Sequence, residues 1–348
     1  MAILGIESMV YGVDDIETCT RFWDDFGLAP VSRSERESVF EVASGSRVVV
    51  RGRDDCGVPD WFDGNGVKLV VWGVDTPANL ETLVAGLESD REVRRDSDGT
   101  AYAVGDDGIP FALRVWAKRP VVSQPDPVNA PGYIQRLNQH RKWRLRARPK
   151  TLNHIVFYTK DYVGSFEFYR DRLGFRLTDH SEGIGVFCRA DGTNEHHSVF
   201  WLDADAPIAP GKAAFMHAAF GLEDVDEVML GANLMSERGW VNHSSNTSAG
   251  LARHRISSAI YYYMDNPNGG EAEYTCDSDY LDDNWIPRVW NWKFGAILWA
   301  HHRPAVFGDM ASNWEMRLDP DGRSLDAFRK TGRPSADREP ATRATASQ

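Results

Sequence analysis

Three residues in the second half of the chain, His154, His217 and Glu273, have side-chain types that hold metal ions. Each lies in a segment where apolar and polar residues alternate, the pattern of a β-strand with one buried face. Neighbouring strands of one curved sheet would bring the three side chains together on its inner face. Two imidazoles and one carboxylate on one face, with other positions open, form the arrangement that binds non-haem Fe(II). Such a centre has room for a substrate with two oxygen ligands and for dioxygen.

Taken singly, these residues are weak evidence, because a histidine on a strand is more often an ordinary core or surface residue. Glu273 follows Glu271 by two residues and could lie on a solvated strand face. The combination is stronger, because an internal repeat places Glu7, Leu69 and Ala112 at the equivalent positions of the first half. All three differences place a metal-ligand residue type in the second half. The second half is therefore predicted to hold the metal, and the first half to be a scaffold.

The repeat itself predicts the elements that position these residues. Segments 5–28 and 152–175 each read as an apolar strand, an amphipathic helix and a glycine at the helix C-cap, and the two glycines lie 147 residues apart. Segments 70–87 and 218–234 repeat a second strand and helix. Each half thus contains two strand–helix–strands units, an α+β pattern. A repeat of this length indicates duplicated domains rather than a solenoid.

Composition limits the classes of protein to consider. A chain of 348 residues fits two domains, and 39 basic against 51 acidic residues give a net charge of −12, which argues against nucleic-acid or anionic-membrane partners. The four cysteines are far apart and form no CxxC pair. No signal peptide and no apolar run long enough to cross a membrane is present in the sequence. We expect a cytoplasmic protein whose cysteines are free thiols and form no disulfide bonds.

Further polar residues surround the predicted metal ligands. Paired histidines, His196 and His197, begin an apolar strand. His254 precedes the strand 260–264, on which Tyr261 and Tyr263 share one face, and a turn leads from this strand to Glu273. Pairing across that turn brings Tyr263 close to the metal side. His196 is expected to point away from His197, as the next residue along a strand does.

The order and spacing of His254, of Tyr263 nine residues later and of Glu273 ten residues further resemble a family signature. Residues 1–308 resemble the vicinal oxygen chelate superfamily, in particular its type I extradiol catechol dioxygenases. The resemblance implies tandem βαβββ modules that form two barrel domains, followed by a C-terminal extension. It implies that His154, His217 and Glu273 bind Fe(II), or occasionally Mn(II). It also implies that His197, His254 and Tyr263 surround the bound catechol and oxygen.

The activity implied by the resemblance is insertion of both atoms of dioxygen next to the diol of a catechol, in aromatic-compound catabolism. In that chemistry His197 is the acid and base, Tyr263 hydrogen-bonds the substrate oxygens, and His254 supports them. Homo-oligomers are usual in the family. Two alternatives stay open: a glyoxalase-type isomerase or hydrolase that uses the metal as a Lewis acid, and a resistance protein that sequesters an aromatic compound.

One departure bears on the substrate. Relatives that cleave acid-bearing catechols place an arginine shortly before the His254 position, and residues 246–252 contain none. A neutral or bulky ring substituent is therefore predicted.

The predicted boundaries are an N-terminal non-catalytic domain (1–117), a linker with a short helix (118–150), a catalytic domain (151–275), a Trp-rich lid (276–308) and a tail (309–348) that is disordered from about residue 325. The lid would use large rings to cover a flat substrate, the alternative being ordinary packing of the same tryptophans. These tryptophans are Trp285, Trp290, Trp292 and Trp299. The sequence does not decide whether His243, His301 and His302 lie near the pocket.

Overall fold

The computed structural model describes residues 2–240, 249–308 and 315–330. The first half contains eight strands and two helices: β1 (Ile3–Val13), α1 (Ile16–Phe26), β2 (Ala29–Arg33), β3 (Glu37–Glu41), β4 (Arg47–Gly52), β5 (Gly66–Val74), α2 (Pro77–Glu88), β6 (Arg94–Arg95), β7 (Ala101–Val104) and β8 (Pro110–Val115). A 3₁₀ turn, Arg53–Asp55, follows β4.

The second half repeats this order and then extends it. Its repeat-equivalent elements are β9 (Thr151–Thr159), α3 (Tyr162–Leu173), β10 (Arg176–Ser181), β11 (Gly185–Arg189), β12 (Val199–Asp203), β13 (Ala214–Gly221), α4 (Val225–Glu237), β14 (Ala252–Arg253), β15 (Ile260–Asp265) and β16 (Glu271–Cys276). The extension adds β17 (Arg288–Trp290), α5 (Trp292–Ala296), β18 (Trp299–Ala300), β19 (Met316–Leu318) and two 3₁₀ helices, Ala305–Phe307 and Arg323–Phe328.

The two sheets have the same strand order. In the first sheet it is β2-β3-β4-β1-β5-β8-β7-β6, and in the second β10-β11-β12-β9-β13-β16-β15-β14 occupies the middle. Each half therefore consists of two βαβββ modules whose first strands pair antiparallel at the centre, β1 with β5 and β9 with β13. The predicted α+β fold of tandem βαβββ modules is confirmed.

Local sequence sets the helix ends. The Asp15 side chain accepts the Thr18 N–H at the start of α1, and Asp161 accepts the Gly164 N–H at the start of α3. Gly27 ends α1 with φ 103° in the left-handed region, where a Cβ would lie 2.2 Å from the Ala147 carbonyl oxygen. Only glycine allows the chain of the linker to pass this close to the helix end.

Strand register corrects one position of the repeat alignment. Ser8, not Glu7, pairs with Val71, just as His154 pairs with Ala219 on the opposite half. Glu7 and Asn153 are the extra residues of equivalent β-bulges in β1 and β9. Aligning the C-cap glycines of α1 and α3 misplaces the strands by one residue, because α1 has 11 residues and α3 has 12.

The first half has no equivalent metal site. The residues opposite His217 and Glu273 in the repeat, Leu69 and Ala112, pack in an apolar cluster with Val10 and Val71. Within the described part of the chain, the one group of three potential ligands that can meet at a single point lies in the second half.

One hydrophobic core joins the two halves, because each half packs a helix against the other half's sheet. Phe26 of α1 stacks on Tyr274 of β16 with ring centroids 4.1 Å apart. Trp72 of β5 meets Phe175, which follows α3, at 4.9 Å, and its indole N–H lies 3.4 Å from the Tyr169 hydroxyl. The scaffold half thus supports the sheet that carries the predicted metal ligands.

The linker differs from its prediction. Residues 118–150 contain no helix, and one isolated bridge, Ala130 to Tyr133, is their only β-pairing. Charged side chains hold the linker instead: Lys142, Arg144 and Lys150 all contact Glu223 at 2.6–3.1 Å. Prolines at positions 120, 125, 127, 131 and 149 lack a backbone N–H and favour such an extended path over a helix.

The extension joins both edges of the second sheet. β17 pairs with β10 at one edge, β18 pairs with β14 at the other, and α5 crosses between them. Residues 323–328 form a 3₁₀ helix in which Leu325 is buried, so the prediction of disorder from about residue 325 is wrong for 325–328. Apolar packing of Leu325 and Phe328 against the core explains the difference. No helix among the described residues is long and apolar enough to cross a membrane.

Candidate metal centre and pocket

Three adjacent strands position the predicted ligands. His154 lies on β9, His217 on β13 and Glu273 on β16. His154 and Glu273 are both paired with Ala219, from opposite sides, and His217 precedes Ala219 by two residues on the same face. The side-chain alternation of three paired strands therefore converges on one point.

The ligand atoms form a nearly equilateral triangle. His154 Nε2 lies 3.2 Å from His217 Nε2 and 3.3 Å from Glu273 Oε2, and His217 Nε2 lies 3.1 Å from the same carboxylate oxygen. All three residues are buried, Glu273 to the extent that 1% of its surface is exposed. Three cis positions of an octahedral ion with bonds of about 2.1 Å are separated by about 3.0 Å.

The hydrogen-bonding state of Glu273 also fits a cation. No described residue donates a hydrogen bond of ordinary geometry to either carboxylate oxygen of Glu273. His217 Nδ1 also has no hydrogen-bond partner among the described residues. A buried carboxylate that lies against two imidazole nitrogens without a hydrogen bond of ordinary geometry is costly unless a positive charge compensates it. The donor set of two imidazoles and one carboxylate matches a divalent transition metal that keeps open positions.

The surroundings of His217 and Glu273 lower the pKa of both side chains. Burial lowers the pKa of His217, against the opposing influence of Glu273. Burial acts to raise the pKa of Glu273, but the facing imidazoles of His154 and His217 outweigh it and hold that pKa well below its ordinary value. Both groups are therefore deprotonated at neutral pH, the state that a metal ligand requires.

The other three predicted site residues lie beside this triangle. The His197 ring packs on the His154 ring with centroids 3.9 Å apart, and the Tyr263 ring lies 4.9 Å from that of His217. Tyr263 is directly opposite Glu273 in the β15–β16 pair. His254 Nε2 lies 3.4 Å from the Tyr263 hydroxyl. One pocket is lined by all six predicted residues.

The partners of His254 define its proton positions. His254 Nδ1 lies 2.5 Å from the Ala296 carbonyl oxygen, which accepts only, so Nδ1 carries the proton. Burial lowers the pKa of His254 to about 4, so the ring is neutral and Nε2 is an acceptor at neutral pH. Burial and the Glu273 charge raise the pKa of Tyr263 well above its ordinary value. Tyr263 therefore stays a hydroxyl that can donate to His254 or to a ligand in the pocket.

Most of the remaining pocket wall is apolar. The pocket encloses about 910 Å³ together with its open mouth. Its apolar lining comprises Val156, Ile184, Phe187, Phe200, Leu202, Ile208, Met216, Ile256, Trp292 and Phe307. Phe187 and Phe200 stack in parallel, 3.8 Å apart. Among the described residues no lysine or arginine lines this pocket, so its wall suits a flat, neutral group.

The four tryptophans of the extension have different environments. Trp292 lines the pocket and its ring lies 5.6 Å from that of Phe307. Trp290 is buried beside Phe294, outside the pocket lining, and Trp299 is 39% exposed. The Trp285 indole N–H donates to the Thr178 carbonyl at 3.0 Å. Trp292 is thus the one of the four that contacts the pocket.

The other histidines considered from the sequence lie outside the pocket wherever the structure describes them. His301 and His302 are exposed and do not line the pocket. His243 lies outside the described residues. His196 points away from the pocket, and its ring lies 3.0 Å from the Asp179 carboxylate.

Sequence reasoning missed Asp179 altogether. Asp179 is buried on β10, and its partner His196 is separated from it by 17 residues. No spacing rule connects them. Strand β10 has one apolar residue, Leu177, so no local sequence pattern singles out Asp179 from its polar neighbours.

Comparison with known families identifies residues 151–232 as matching the Glyoxalase/Bleomycin resistance protein/Dioxygenase superfamily. The matched segment contains His154 and His217. Metapyrocatechase 2 of Cupriavidus necator is 26% identical over 287 residues, which cover 80% of this chain and 83% of that protein. An iron-dependent extradiol dioxygenase of Rhodococcus jostii (strain RHA1) is 30% identical over 163 residues, 43% of this chain and half of that protein.

Solved structures share the fold. The crystal structure of BphC, a halotolerant catechol dioxygenase, aligns with a TM-score of 0.67 at 16% identity and covers 87% of this chain and 95% of that chain. At this identity the likeness concerns the fold.

Proposed function

Because residues 151–232 form a domain of the Glyoxalase/Bleomycin resistance protein/Dioxygenase superfamily, we propose that this chain is an extradiol ring-cleaving dioxygenase. Its substrate is a catechol, and both atoms of O₂ enter the product beside the diol. The observation that carries the proposal is the pocket itself, where His154, His217 and Glu273 converge and His197, His254 and Tyr263 line the same space. Homologues that bear the names metapyrocatechase and extradiol dioxygenase support it.

Fe(II) is the proposed metal, with Mn(II) as the alternative ion for the same ligands. When bound, the metal supplies positive charge that favours the ionised catechol and the redox chemistry that dioxygen requires. His154, His217 and Glu273 would hold this metal, and three protein ligands would leave room for the substrate beside it.

His197 is the proposed acid and base. Burial, reinforced by the neighbouring imidazoles, lowers the pKa of His197 well below its ordinary value. At neutral pH its ring is therefore a neutral acceptor, ready to take a proton from a catechol hydroxyl. Its stacking on His154 keeps the ring beside the metal ligands.

Tyr263 and His254 are the proposed partners of the substrate oxygens. The Tyr263 hydroxyl donates, because its raised pKa keeps it protonated. His254 accepts through Nε2, because the Ala296 carbonyl fixes the proton on Nδ1. Together they orient one edge of the diol and keep its protons in defined positions.

The pocket wall defines the proposed substrate class further. Aromatic and branched aliphatic side chains face the space beside the proposed metal ligands, and the hydroxyl-bearing residues outside the proposed catalytic set are Ser181, Ser257 and Tyr261. A carboxylate on the ring would be buried there without a cationic partner, which is costly. We therefore assign a catechol with a neutral alkyl or aryl substituent.

An oxygen electrode tests this function. The Fe(II)-loaded protein is given a panel of alkyl-, aryl- and carboxyl-substituted catechols, and O₂ uptake and visible absorbance are recorded together. The expected result is one O₂ consumed per neutral catechol, with a new absorbance from the ring-opened product. Metal-dependent turnover without O₂ uptake would favour the glyoxalase-type alternative. Catechol binding with neither signal would favour a sequestering protein.

A further inference from the structure

Behind His197, on the side away from the pocket, two buried residues form a chain of hydrogen bonds. His197 Nδ1 lies 3.0 Å from His196 Nδ1, and His196 Nε2 lies 3.0 Å from Asp179 Oδ2. Asp179 and His196 are each 1% exposed. Neither residue lines the main pocket. A buried carboxylate is thus connected to the proposed acid and base through a second imidazole.

The chemistry of the partners fixes the protons along this chain. The Asp179 carboxylate can only accept, so His196 must carry a proton on Nε2. A neutral His196 then has a lone pair on Nδ1, which can only accept from His197. His197 must therefore carry its proton on Nδ1. The nitrogen left with a lone pair is His197 Nε2.

We propose that Asp179 and His196 are positioning residues that hold His197 in its Nδ1–H tautomer, with Nε2 available as the proton acceptor for the pocket. This inference rests on the proposed function in one respect, the role of His197 as acid and base. In that step a substrate O–H bond breaks and an Nε2–H bond forms, with no change in oxidation state. The Nδ1–H bond to His196 persists throughout, so the ring orientation is unchanged.

The C-terminal extension completes the arrangement. β17 runs parallel to β10 with Arg288 opposite Asp179, and the Arg288 backbone N–H donates to Asp179 Oδ1 at 2.9 Å. Both carboxylate oxygens are thereby engaged, one by the extension and one by His196. The Trp285 ring lies nearly perpendicular to the His196 ring, with the ring centroids 6.3 Å apart. The extension therefore supports the catalytic histidine from behind, in addition to contributing Trp292 to the pocket.

Nitrogen-15 NMR of the histidine side chains tests the assignment directly. The full-length protein is labelled with ¹⁵N-histidine and loaded with Zn(II), a diamagnetic ion with similar ligands. The expected spectrum shows His196 protonated on Nε2 and His197 on Nδ1. A proton on His197 Nε2, or on both His196 nitrogens, would overturn the inference. The measurement needs no turnover, so it separates this inference from the dioxygenase proposal.

The variant Asp179→Asn adds a functional readout. Its amide can donate to His196 Nε2 while still accepting from Arg288, which reverses both tautomers and leaves the shape of the site unchanged. We expect kcat to fall about 10²- to 10⁴-fold, as a wrong tautomer causes in a serine-protease triad, with KM and iron content within about twofold of wild type.

Asp319→Asn is the matched control, because Asp319 is a buried carboxylate that accepts backbone N–H groups from residues 323 and 324. Unchanged kcat and tautomers in Asp179→Asn would contradict the inference, and misfolding of this variant leaves the wild-type spectrum decisive.

Discussion

At the scale of single residues, the site works through the division of labour among its five histidines. His154 and His217 present nitrogens to the metal position, and His254 and His197 face the pocket as neutral acceptors. His196 has no access to the pocket and acts on His197 alone. Identical side chains take different roles because each ring has different hydrogen-bond partners and a different position relative to the pocket.

Loss of one ligand should abolish metal binding. In His217→Ala the buried Glu273 carboxylate keeps one imidazole neighbour, His154, and an ion would lose one of three protein ligands. We expect iron content below a tenth of wild type and no detectable turnover, measured by metal analysis and the oxygen electrode. His140→Ala changes an exposed histidine of the linker and is the matched control, which should keep wild-type iron content and turnover. Full iron content in His217→Ala would remove His217 from the ligand set.

Loss of the proposed acid and base should separate chemistry from metal binding. We expect His197→Ala to retain iron and to lower kcat about 10²- to 10⁴-fold, because general acid and base catalysis contributes about that factor. His302→Ala, at an exposed histidine outside the pocket, serves as control. Iron loss in His197→Ala would make His197 a ligand, and an unchanged kcat would remove it from catalysis.

At the scale of elements, two segments outside the βαβββ modules shape the site. The extension ties the open edges of the second sheet together through β17 and β18 and lays α5 across the pocket. The linker is fastened to the catalytic half by its cations around Glu223. The linker therefore docks through side-chain ion pairs, whereas the extension docks through short backbone pairings at the two sheet edges.

The contribution of α5 to the pocket is testable at Trp292. Removing the ring in Trp292→Ala deletes apolar contact with a substituent, and we expect KM for an aryl-substituted catechol to rise about 5- to 50-fold. KM for unsubstituted catechol and kcat for both should change less than about threefold. Trp299→Ala is the control, because Trp299 lies on the same extension but outside the pocket lining. Equal KM changes for the two catechols would contradict a lid role for Trp292.

The linker contact should give pH-dependent stability. Burial acts to raise the pKa of Glu223, but hydrogen bonds from the Gln124 backbone, Arg144, Lys142 and Lys150 outweigh it and hold that pKa well below its ordinary value. A lowered pKa contributes stability above the unfolded-state pKa of about 4.3, and this stability is lost as pH falls through the folded-state pKa.

We therefore expect Glu223→Gln to lower the free energy of unfolding by about 1–3 kcal/mol at pH 7, with a smaller difference from wild type below about pH 4. Urea unfolding at several pH values measures it. Glu237→Gln, at an exposed carboxylate of α4, is the control. A difference that stays constant down to pH 3 would show that the charge of Glu223 is not the source.

At the scale of the whole molecule, the two halves are unequal copies on one hydrophobic core. The first half has apolar residues where the second has ligands, yet its Trp72 and Phe26 pack directly on the elements of the catalytic half. The strands that carry the proposed ligands are therefore packed against a half that has apolar residues at two of the three equivalent positions. A shared core makes cooperative unfolding of both halves the expected behaviour.

Trp72 tests that coupling. It is fully buried between the halves, and Trp72→Ala should lower the free energy of unfolding by about 3–5 kcal/mol while retaining a single transition. Trp143→Ala, at a linker tryptophan that is 87% exposed, should change it by less than about 0.5 kcal/mol. Separate transitions for the two halves in wild type would contradict a common core.

The sequence by itself determined the α+β fold, its duplication, and the six residues that meet in the pocket. Strand alternation and the spacing from His254 to Glu273 are local properties of the chain, and the resemblance of that spacing to a family signature implied His197, His254 and Tyr263. Three features needed the tertiary structure. The bulge that makes Ser8 the counterpart of His154 depends on the pairing of β1 with β5. The 3₁₀ helix at 323–328 depends on the hydrophobic core in which Leu325 is buried. The hydrogen bonds from Asp179 through His196 to His197 form because the fold packs β10, β17 and the segment before β12 together. Hydrogen bonds between residues distant in the sequence leave no periodic pattern in it, so the sequence could not predict them.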